Sequence, residues 1–196
     1  MEHSVTVNGL KIRYLRKGRG QAFALLHGMS FCADTWVEMG LFDELAKDHS
    51  VYSFDMPYGS QSRSDKFDAS NRDEYAEFLK GLLKSLGIDK PVLLGASISG
   101  EVTLRYLTHG YAAKAAIVAG PVGIKGLIPR LGMITIPLLA IWGEKDNISP
   151  PENAEILAGH AKKAEAHIIK NAGHACYMDR PEEFRLLVRN FLGKTN

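Results

Sequence analysis

The sequence has few cysteines, no long apolar segment and no strong bias of charge. Its 196 residues include only two cysteines, Cys32 and Cys176, too few for a disulfide framework or a four-cysteine zinc site. No apolar run approaches the roughly 20 residues that a membrane-spanning helix requires. The first residues, MEHSVTVNGLKIRY, carry early charge and lack the apolar stretch of a secretory signal. We therefore expect a cytoplasmic protein with reduced thiols and no membrane association.

The charge balance also limits the classes of partner and cofactor. Lysine and arginine number 24 against 22 acidic residues, which gives a formal net charge of +2. The one basic run, KIRYLRKGRG, is more typical of a solvated hairpin than of a surface that binds nucleic acid. No cluster of histidine, cysteine and acidic residues has the spacing of a metal site. We expect no nucleic-acid partner, no metal and no cofactor.

Strands and helices are predicted to alternate within a single domain, residues 1–196. The segment SVTVNGLKIRYLR alternates apolar and polar residues around Asn8-Gly9, a strong signal for an antiparallel hairpin. Helical patterns such as NRDEYAEFLKGLLKSLG then separate most of the short apolar runs. Those runs are AFALLHG, VYSFDMP, PVLLGAS, AAIVAGP, IPLLAIWGEKD and AEAHIIKNAGH. This order predicts an α/β fold, with a mostly parallel sheet covered by helices on both faces.

Two connections give more specific expectations. Asp34 is predicted to cap a helix through TWVEMGLFDELAKD. The segment VGIKGLIPRLGMIT contains glycine and proline and is predicted to be a loop with room for one helical turn. That connection is too short for an inserted cap domain. Right-handed crossovers bring the carboxyl ends of parallel strands to one edge of the sheet, where we expect the functional residues to meet.

The stretch GASISG has four of the five positions of a nucleophile elbow, Gly-x-Ser-x-Gly, with Ser99 at the fifth. Ser97 follows the apolar run VLL and precedes a helical pattern, which is the context that exposes a nucleophilic serine. The fifth position requires a small side chain, and serine has one. The alternative is a serine that only joins a strand to a helix.

A serine nucleophile also needs a base and a carboxylate. Asp146 and His174 follow Ser97 in the order serine, acid, histidine, and each comes just after a predicted strand. The simpler interpretations are an Asx turn at Asp146 and a surface position for His174, and Glu144 is a competing carboxylate.

An oxyanion requires backbone N–H donors, and His27-Gly28 ends another predicted strand. The backbone amide that follows this His-Gly pair is that of Met29, and the backbone amide that follows Ser97 is that of Ile98. His27 is expected to hold its loop by hydrogen bonds.

Three loops, LLHGMSFCADTW, GASISGE and NAGHACYMDRPEEF, resemble the α/β-hydrolase superfamily, and the resemblance covers essentially the whole chain. They are most similar to its small capless branch of abhydrolase-domain proteins, called the CIB type or type fourteen, in which a Ser-x-Ser-Gly elbow also occurs. The resemblance implies that Ser97 is the nucleophile, His174 the base and Asp146 its partner, with Met29 and Ile98 as the oxyanion amides.

The resemblance implies a serine hydrolase that acts on small acyl esters through an acyl-serine intermediate. Two alternatives stay open: acyl transfer to a thiol or coenzyme A, and a hydrolase-fold module that binds a ligand or a protein partner. One departure concerns DMPYGSQS, where Tyr58 replaces a glycine of the superfamily pattern and alters the expected loop path. For Cys32 and Cys176 we favour a packing role over a redox or acyl-acceptor role.

Overall fold

The computed structural model describes residues 1–195, which form eight strands and eight helices. The strands are β1 (Glu2–Val7), β2 (Leu10–Lys17), β3 (Gln21–Leu26), β4 (His49–Phe54), β5 (Val92–Ala96), β6 (Ala115–Ala119), β7 (Leu138–Gly143) and β8 (Ala164–Ile169). The helices are α1 (Thr35–Glu38), α2 (Leu41–Leu45), α3 (Arg72–Ser85), α4 (Ile98–Thr108), α5 (Ile124–Leu131), α6 (Glu152–His160), α7 (Cys176–Asp179) and α8 (Pro181–Thr195).

All eight strands belong to one sheet, in the order β1-β2-β4-β3-β5-β6-β7-β8. Strands β3 to β8 pair in parallel. The first two form an antiparallel hairpin at one edge, and β2 pairs antiparallel with β4. Asn8 and Gly9 turn the hairpin at φ values of 51° and 83°, as a two-residue turn of this kind requires. The predicted α/β class, mostly parallel sheet and N-terminal hairpin are confirmed.

Helices cover both faces of the sheet and divide the core into two apolar clusters. One cluster receives side chains from α3, α4, α5 and α6, among them Phe78 and Val102. The other receives side chains from α1, α2, α7 and α8, among them Trp36 and Phe184. Strand β5 contributes alternate side chains to both clusters, so it is buried on both faces and its residues are apolar throughout. None of the helices within residues 1–195 has the length and apolar character to cross a membrane.

The connection from β6 to β7 contains a two-turn helix, α5, so the prediction of a loop with one turn was wrong. Ile124, Leu127 and Leu131 recur at helical spacing and are all buried. Their burial outweighs the helix-breaking tendency of Gly126 and Pro129, which both lie inside the helix. Apart from α5, the described chain has no helix or strand between β6 and β7, and it therefore has no cap domain there.

The prediction that Asp34 caps one long helix was also wrong. Two short helices, α1 and α2, replace it, and Gly40 separates them with a left-handed φ of 77°. Within the part of the chain that the structure describes, the Asp34 side chain makes no capping hydrogen bond. Its carboxylate instead accepts bonds from Arg13 at 2.8 and 3.0 Å and from Arg63 at 2.9 Å. Arg13 occupies both oxygens of the carboxylate in a bidentate pair and Arg63 shares one of them, and this pairing with two guanidinium ions takes the place of a cap.

Arg13 is the buried centre of this ion cluster. The residue is 7% exposed and its guanidinium binds Asp34, Glu2 and the fully buried Asp55, the last at 3.0 Å. Burial alone would raise the pKa of Asp34, but the hydrogen bonds from Arg13 and Arg63 hold that pKa below its usual value. The cluster ties β2 to the end of β4 and to the loop after β3.

Replacing Arg13 tests the strength of this tie. We expect Arg13→Met to lower the free energy of unfolding by about 3 kcal/mol, because Asp55 loses its guanidinium partner while remaining buried. The matched control is Lys17→Met, which removes an ion pair to Asp43 whose two side chains are more than half exposed. It should cost less than about 1 kcal/mol. Urea unfolding measures both, and equal losses would contradict a special role for Arg13.

Candidate active site

Ser97 occupies the tight turn between β5 and α4. Its backbone has φ 54° and ψ −116°, a conformation that residues with a side chain rarely adopt. The Ser97 N–H donates to the carbonyl of Ala119 at 2.8 Å, which attaches the turn to the end of β6. The serine is half-buried and stands directly before the first turn of α4. The predicted strand–turn–helix context of Ser97 is confirmed.

The glycines of this turn are explained by close backbone contacts. A Cβ at Gly95 would lie 2.3 Å from the carbonyl oxygen of Ser99, and one at Gly100 would lie 2.8 Å from Cβ of Pro121. Both distances are too short for any side chain. Ser99 itself is fully buried yet has room for its hydroxymethyl group. The second close contact of this elbow thus falls at position 100. This explains why the second glycine stands at position 100 and not at position 99, where the Gly-x-Ser-x-Gly pattern would place it.

The three side chains predicted from sequence lie in one hydrogen-bonded row. His174 Nε2 is 2.8 Å from Ser97 Oγ, and His174 Nδ1 is 2.8 Å from Asp146 Oδ2. The Asp146 side chain is fully buried, whereas that of His174 is 17% exposed. A carboxylate accepts hydrogen bonds only, so the proton of the neutral imidazole lies on Nδ1 and Nε2 can accept from the serine hydroxyl. This arrangement can remove a proton from Ser97.

Asp146 also forms the Asx turn that was its simpler interpretation. Its Oδ1 accepts the N–H groups of Ile148 and Ser149, each at 2.9 Å, and this leaves Oδ2 for the histidine. Two loop amides therefore fix the carboxylate before any substrate arrives. Glu144, the competing carboxylate, is exposed and accepts the N–H of Asn171 instead. The two interpretations of Asp146 are compatible, because each uses a different oxygen.

The loop after β3, residues 27–31 and here called the His27 loop, runs beside the serine. A Cβ at Gly28 would lie 3.5 Å from Cβ of Ser97. Among the described residues, the Met29 N–H has no hydrogen-bond acceptor within the protein. Ile98 is the first residue of α4, where an N–H has no acceptor within its own helix. Both amides predicted as oxyanion donors therefore belong to segments that adjoin Ser97.

His27 holds its loop through both ring nitrogens, which confirms its predicted role. Nε2 accepts the N–H of Met56 at 2.9 Å, so Nδ1 carries the proton and donates to the carbonyl of Gly28 at 2.8 Å. The residue is 1% exposed, and burial holds the pKa of its imidazole below the usual value. A neutral imidazole is the form that both bonds require.

Tyr58, the departure from the superfamily pattern, is buried behind the elbow. Its hydroxyl lies 2.6 Å from Oγ of Ser99, which in turn donates to the carbonyl of His27. The sequence marked both positions as unusual but gave no indication that the two side chains meet.

Gly120 is a second residue that sequence patterns missed. It has φ 50°, and a Cβ there would lie 3.0 Å from Asp146 Oδ2 and 3.3 Å from His174 Nδ1. Its only signal in the sequence is the ending AGP of an apolar run.

The two cysteines fit the packing role. Cys176 is fully buried, and burial raises the pKa of its thiol to about 12. Cys32 is half-buried, its Sγ lies 3.6 Å from Asp34 Oδ2, and burial raises its pKa as well. A raised pKa keeps a thiol protonated, and a protonated thiol is a poor nucleophile.

The chain is similar in sequence to alpha/beta hydrolases. The model of the alpha/beta hydrolase family matches residues 23–137. Protein ABHD14A of Danio rerio is 36% identical over 181 residues, which are 87% of this chain but only 63% of that protein's length. The putative protein-lysine deacylase ABHD14B of Pongo abelii is 28% identical over 97% of this chain and 94% of its own.

A solved structure is similar over nearly the full length of both chains. It is described as a predicted CIB-like hydrolase from Thermoplasma acidophilum, and it is 26% identical to this chain. The TM-score is 0.92, with 98% of this chain and 97% of the other covered. The small capless branch predicted from the three loops is confirmed.

The unusual backbone of Ser97 predicts a reversal of the normal ranking of alanine and glycine. Ser97→Ala and Ser97→Gly both remove the hydroxyl, so the difference between their stabilities reports on the backbone. Glycine reaches φ 54° without steric cost, and we expect Ser97→Gly to be more stable than Ser97→Ala by about 1 kcal/mol.

The control is Glu77, an exposed position inside α3, where alanine should exceed glycine by about 1 kcal/mol. Urea unfolding of the four variants gives both differences. Alanine being the more stable residue at both positions would show that the turn at Ser97 is unstrained.

Proposed function

The chain belongs to the alpha/beta hydrolase family, and on that basis we propose that it is a serine hydrolase that cleaves small acyl esters with a triad of Ser97, His174 and Asp146. The observation that carries the proposal is the continuous row of two 2.8 Å hydrogen bonds from serine to imidazole to carboxylate. A serine at a left-handed turn before a helix supports it, because that turn presents Oγ to an incoming carbonyl. Family membership by itself supports hydrolase activity only in general terms.

In the first step Ser97 Oγ attacks the acyl carbon while His174 Nε2 takes the hydroxyl proton. The imidazolium that forms is stabilised by Asp146, whose position is fixed by its two loop amides. The N–H groups of Met29 and Ile98 donate to the oxyanion, and donors of this kind are worth about 3 kcal/mol each in the barrier.

Collapse of the tetrahedral intermediate breaks the ester C–O bond, and His174 gives its proton to the leaving alkoxide. The product of this half-reaction is an acyl ester of Ser97 and a free alcohol. A water molecule then attacks the acyl carbon, His174 takes one of its protons, and the second collapse returns that proton to Ser97 Oγ. The acid is released and the enzyme regains its starting state.

The surroundings of the serine favour small or well-exposed acyl groups. Ser97 is half-buried, and between β6 and β7 the described chain offers only α5 to cover it. Exposed apolar side chains occur close to each functional residue in sequence: Met29 itself, Ile148 after Asp146, and Met178 after His174. Because α5 is the only element of the β6–β7 connection, we expect the site to accept a short acyl chain and not to enclose a long one.

Deacylation of lysine is a second candidate, favoured by one relative. The Pongo abelii protein carries the name putative protein-lysine deacylase and aligns over nearly the full length of this chain. The same triad chemistry would cleave an amide if His174 protonated the leaving amine. An acetyl-lysine peptide, offered with and without coenzyme A, distinguishes this candidate: release of acetate indicates hydrolysis, and acetyl-coenzyme A indicates transfer.

Labelling with a fluorophosphonate probe tests the nucleophile directly. We expect rapid labelling of the wild-type protein and none of Ser97→Ala, since the probe forms a covalent bond only with an activated serine. Hydrolysis of p-nitrophenyl acetate should fall at least about 10³-fold in the same variant. Ser85→Ala, which changes an exposed serine of α3, is the matched control and should behave as wild type. Wild-type labelling or turnover in Ser97→Ala would refute the proposal.

The contact between Asp146 and His174 can be disturbed from Gly120. We expect Gly120→Ala to lower kcat for p-nitrophenyl acetate about tenfold, because the added Cβ would press on Asp146 Oδ2 and the histidine ring. Gly110→Ala is the control: its φ is also positive, at 76°, but its Cβ would meet no atom within 4 Å. The control should lose about 1 kcal/mol of stability and no activity. Comparable losses of kcat in both variants would show that backbone strain alone is responsible.

A further inference from the structure

We infer that Tyr58 and Ser99 are positioning residues, which hold the His27 loop against the elbow so that the Met29 and Ile98 amides face one oxyanion. This inference rests on the proposed function, because it assigns the two residues to the same reaction. The observation behind it is a row of hydrogen bonds from the Tyr58 hydroxyl to Ser99 Oγ and on to the carbonyl of His27.

The direction of these bonds follows from the chemistry of the groups. A carbonyl oxygen only accepts, so the single proton of the Ser99 hydroxyl goes to His27 O. Ser99 Oγ must then accept from Tyr58, whose pKa is raised by burial and which therefore keeps its proton. Ser99 is 0% exposed and Tyr58 9% exposed, so water competes little for either bond. Buried hydroxyls are costly unless they are paired, and here the Tyr58 hydroxyl has one partner and the Ser99 hydroxyl has two.

Two successive peptide units of the His27 loop are fixed in this way. The carbonyl of His27 is held by Ser99. The carbonyl of Gly28 is held by His27 Nδ1 at 2.8 Å and by the N–H of Phe31 at 3.1 Å. In a planar trans peptide the C=O and the next N–H point in opposite directions. Anchoring the Gly28 carbonyl therefore sets the direction of the Met29 N–H.

Ser99 connects the two segments that carry the proposed donors. It follows Ile98 directly on α4, and its side chain reaches back to the His27 loop. The spacing between the Met29 and Ile98 amides therefore depends on the bond from Ser99 to His27. Donors that are in place before the reaction stabilise charge that develops only in the transition state. A loss of this bond should consequently lower kcat and leave KM nearly unchanged.

The experiment compares Tyr58→Phe and Ser99→Ala with wild type, using p-nitrophenyl acetate and the rate of fluorophosphonate labelling. We expect kcat and the labelling rate to fall about tenfold in Tyr58→Phe and more in Ser99→Ala, with KM within twofold of wild type. Tyr58 acts through Ser99, so the double variant should lose no more than Ser99→Ala alone.

Two controls remove comparable buried hydrogen bonds away from the His27 carbonyl. Tyr75→Phe removes a hydroxyl that donates to Phe67 O at 3.1 Å, in a ring that packs against Tyr58. Ser53→Ala removes a buried serine hydroxyl that donates to the carbonyl of Ala33 at 2.8 Å. Both controls should lose stability and keep kcat within twofold. Thermal unfolding of all the variants separates loss of fold from loss of rate.

The outcomes are distinct from those that test the function. Rapid labelling of wild type with undiminished labelling of both Tyr58→Phe and Ser99→Ala would overturn the inference and leave the proposed function in place. A tenfold loss of kcat in Tyr75→Phe or Ser53→Ala would also overturn it, because any buried hydroxyl would then matter equally. A wild-type protein that the probe does not label contradicts the proposed function and this inference together.

Discussion

The tight turn at Ser97 is the constraint on which the rest of the site depends. A central strand that is buried on both faces must connect at once to a helix packed on one of those faces, and the chain has one residue in which to reverse. That residue takes a strained left-handed conformation, and the bond from its N–H to Ala119 holds it against the next strand. The strain is tolerated because β5 and α4 are anchored in the two apolar clusters on either side.

The same sheet edge brings together residues that are far apart in sequence. Asp146 and His174 follow neighbouring parallel strands, β7 and β8, so their loops lie side by side next to the turn at Ser97. On the other side of β5, the ion cluster around Arg13 anchors the chain just after the His27 loop. The site is therefore supported by charge pairing on one side and by packed strands on the other. The geometry of the proposed site therefore depends on this edge of the sheet as a whole.

Much of the fold and of the candidate site could be predicted from the sequence, and there is a physical reason for each feature that could not. Periodicity and chain order predicted the sheet, the hairpin and the meeting of Ser97, Asp146 and His174, because each depends on local pattern and strand order. The error at Asp34 arose because a cap is a local preference, whereas the partner that won, Arg13, is 21 residues away. Helix α5 was missed because burial of Ile124, Leu127 and Leu131 depends on the surrounding core and overrides Gly126 and Pro129. The link from Tyr58 to Ser99 joins residues 41 positions apart, and no pattern in either segment specifies it.

The glycines of this site lie where another part of the chain approaches the backbone closely. It is this close contact, and not the motif as such, that requires glycine at a given position. At positions 95 and 100 a Cβ would collide with a carbonyl or a proline, and at position 120 it would lie tightly against the Asp146 carboxylate. At position 99 no such collision occurs, and the chain places a hydroxyl there that bonds to the His27 loop. Serine in place of the fifth glycine of Gly-x-Ser-x-Gly thus adds a hydrogen bond between α4 and the His27 loop. The side chain at position 99 is thus paired with two groups, the Tyr58 hydroxyl and the His27 carbonyl, which ties the residue at this motif position to both.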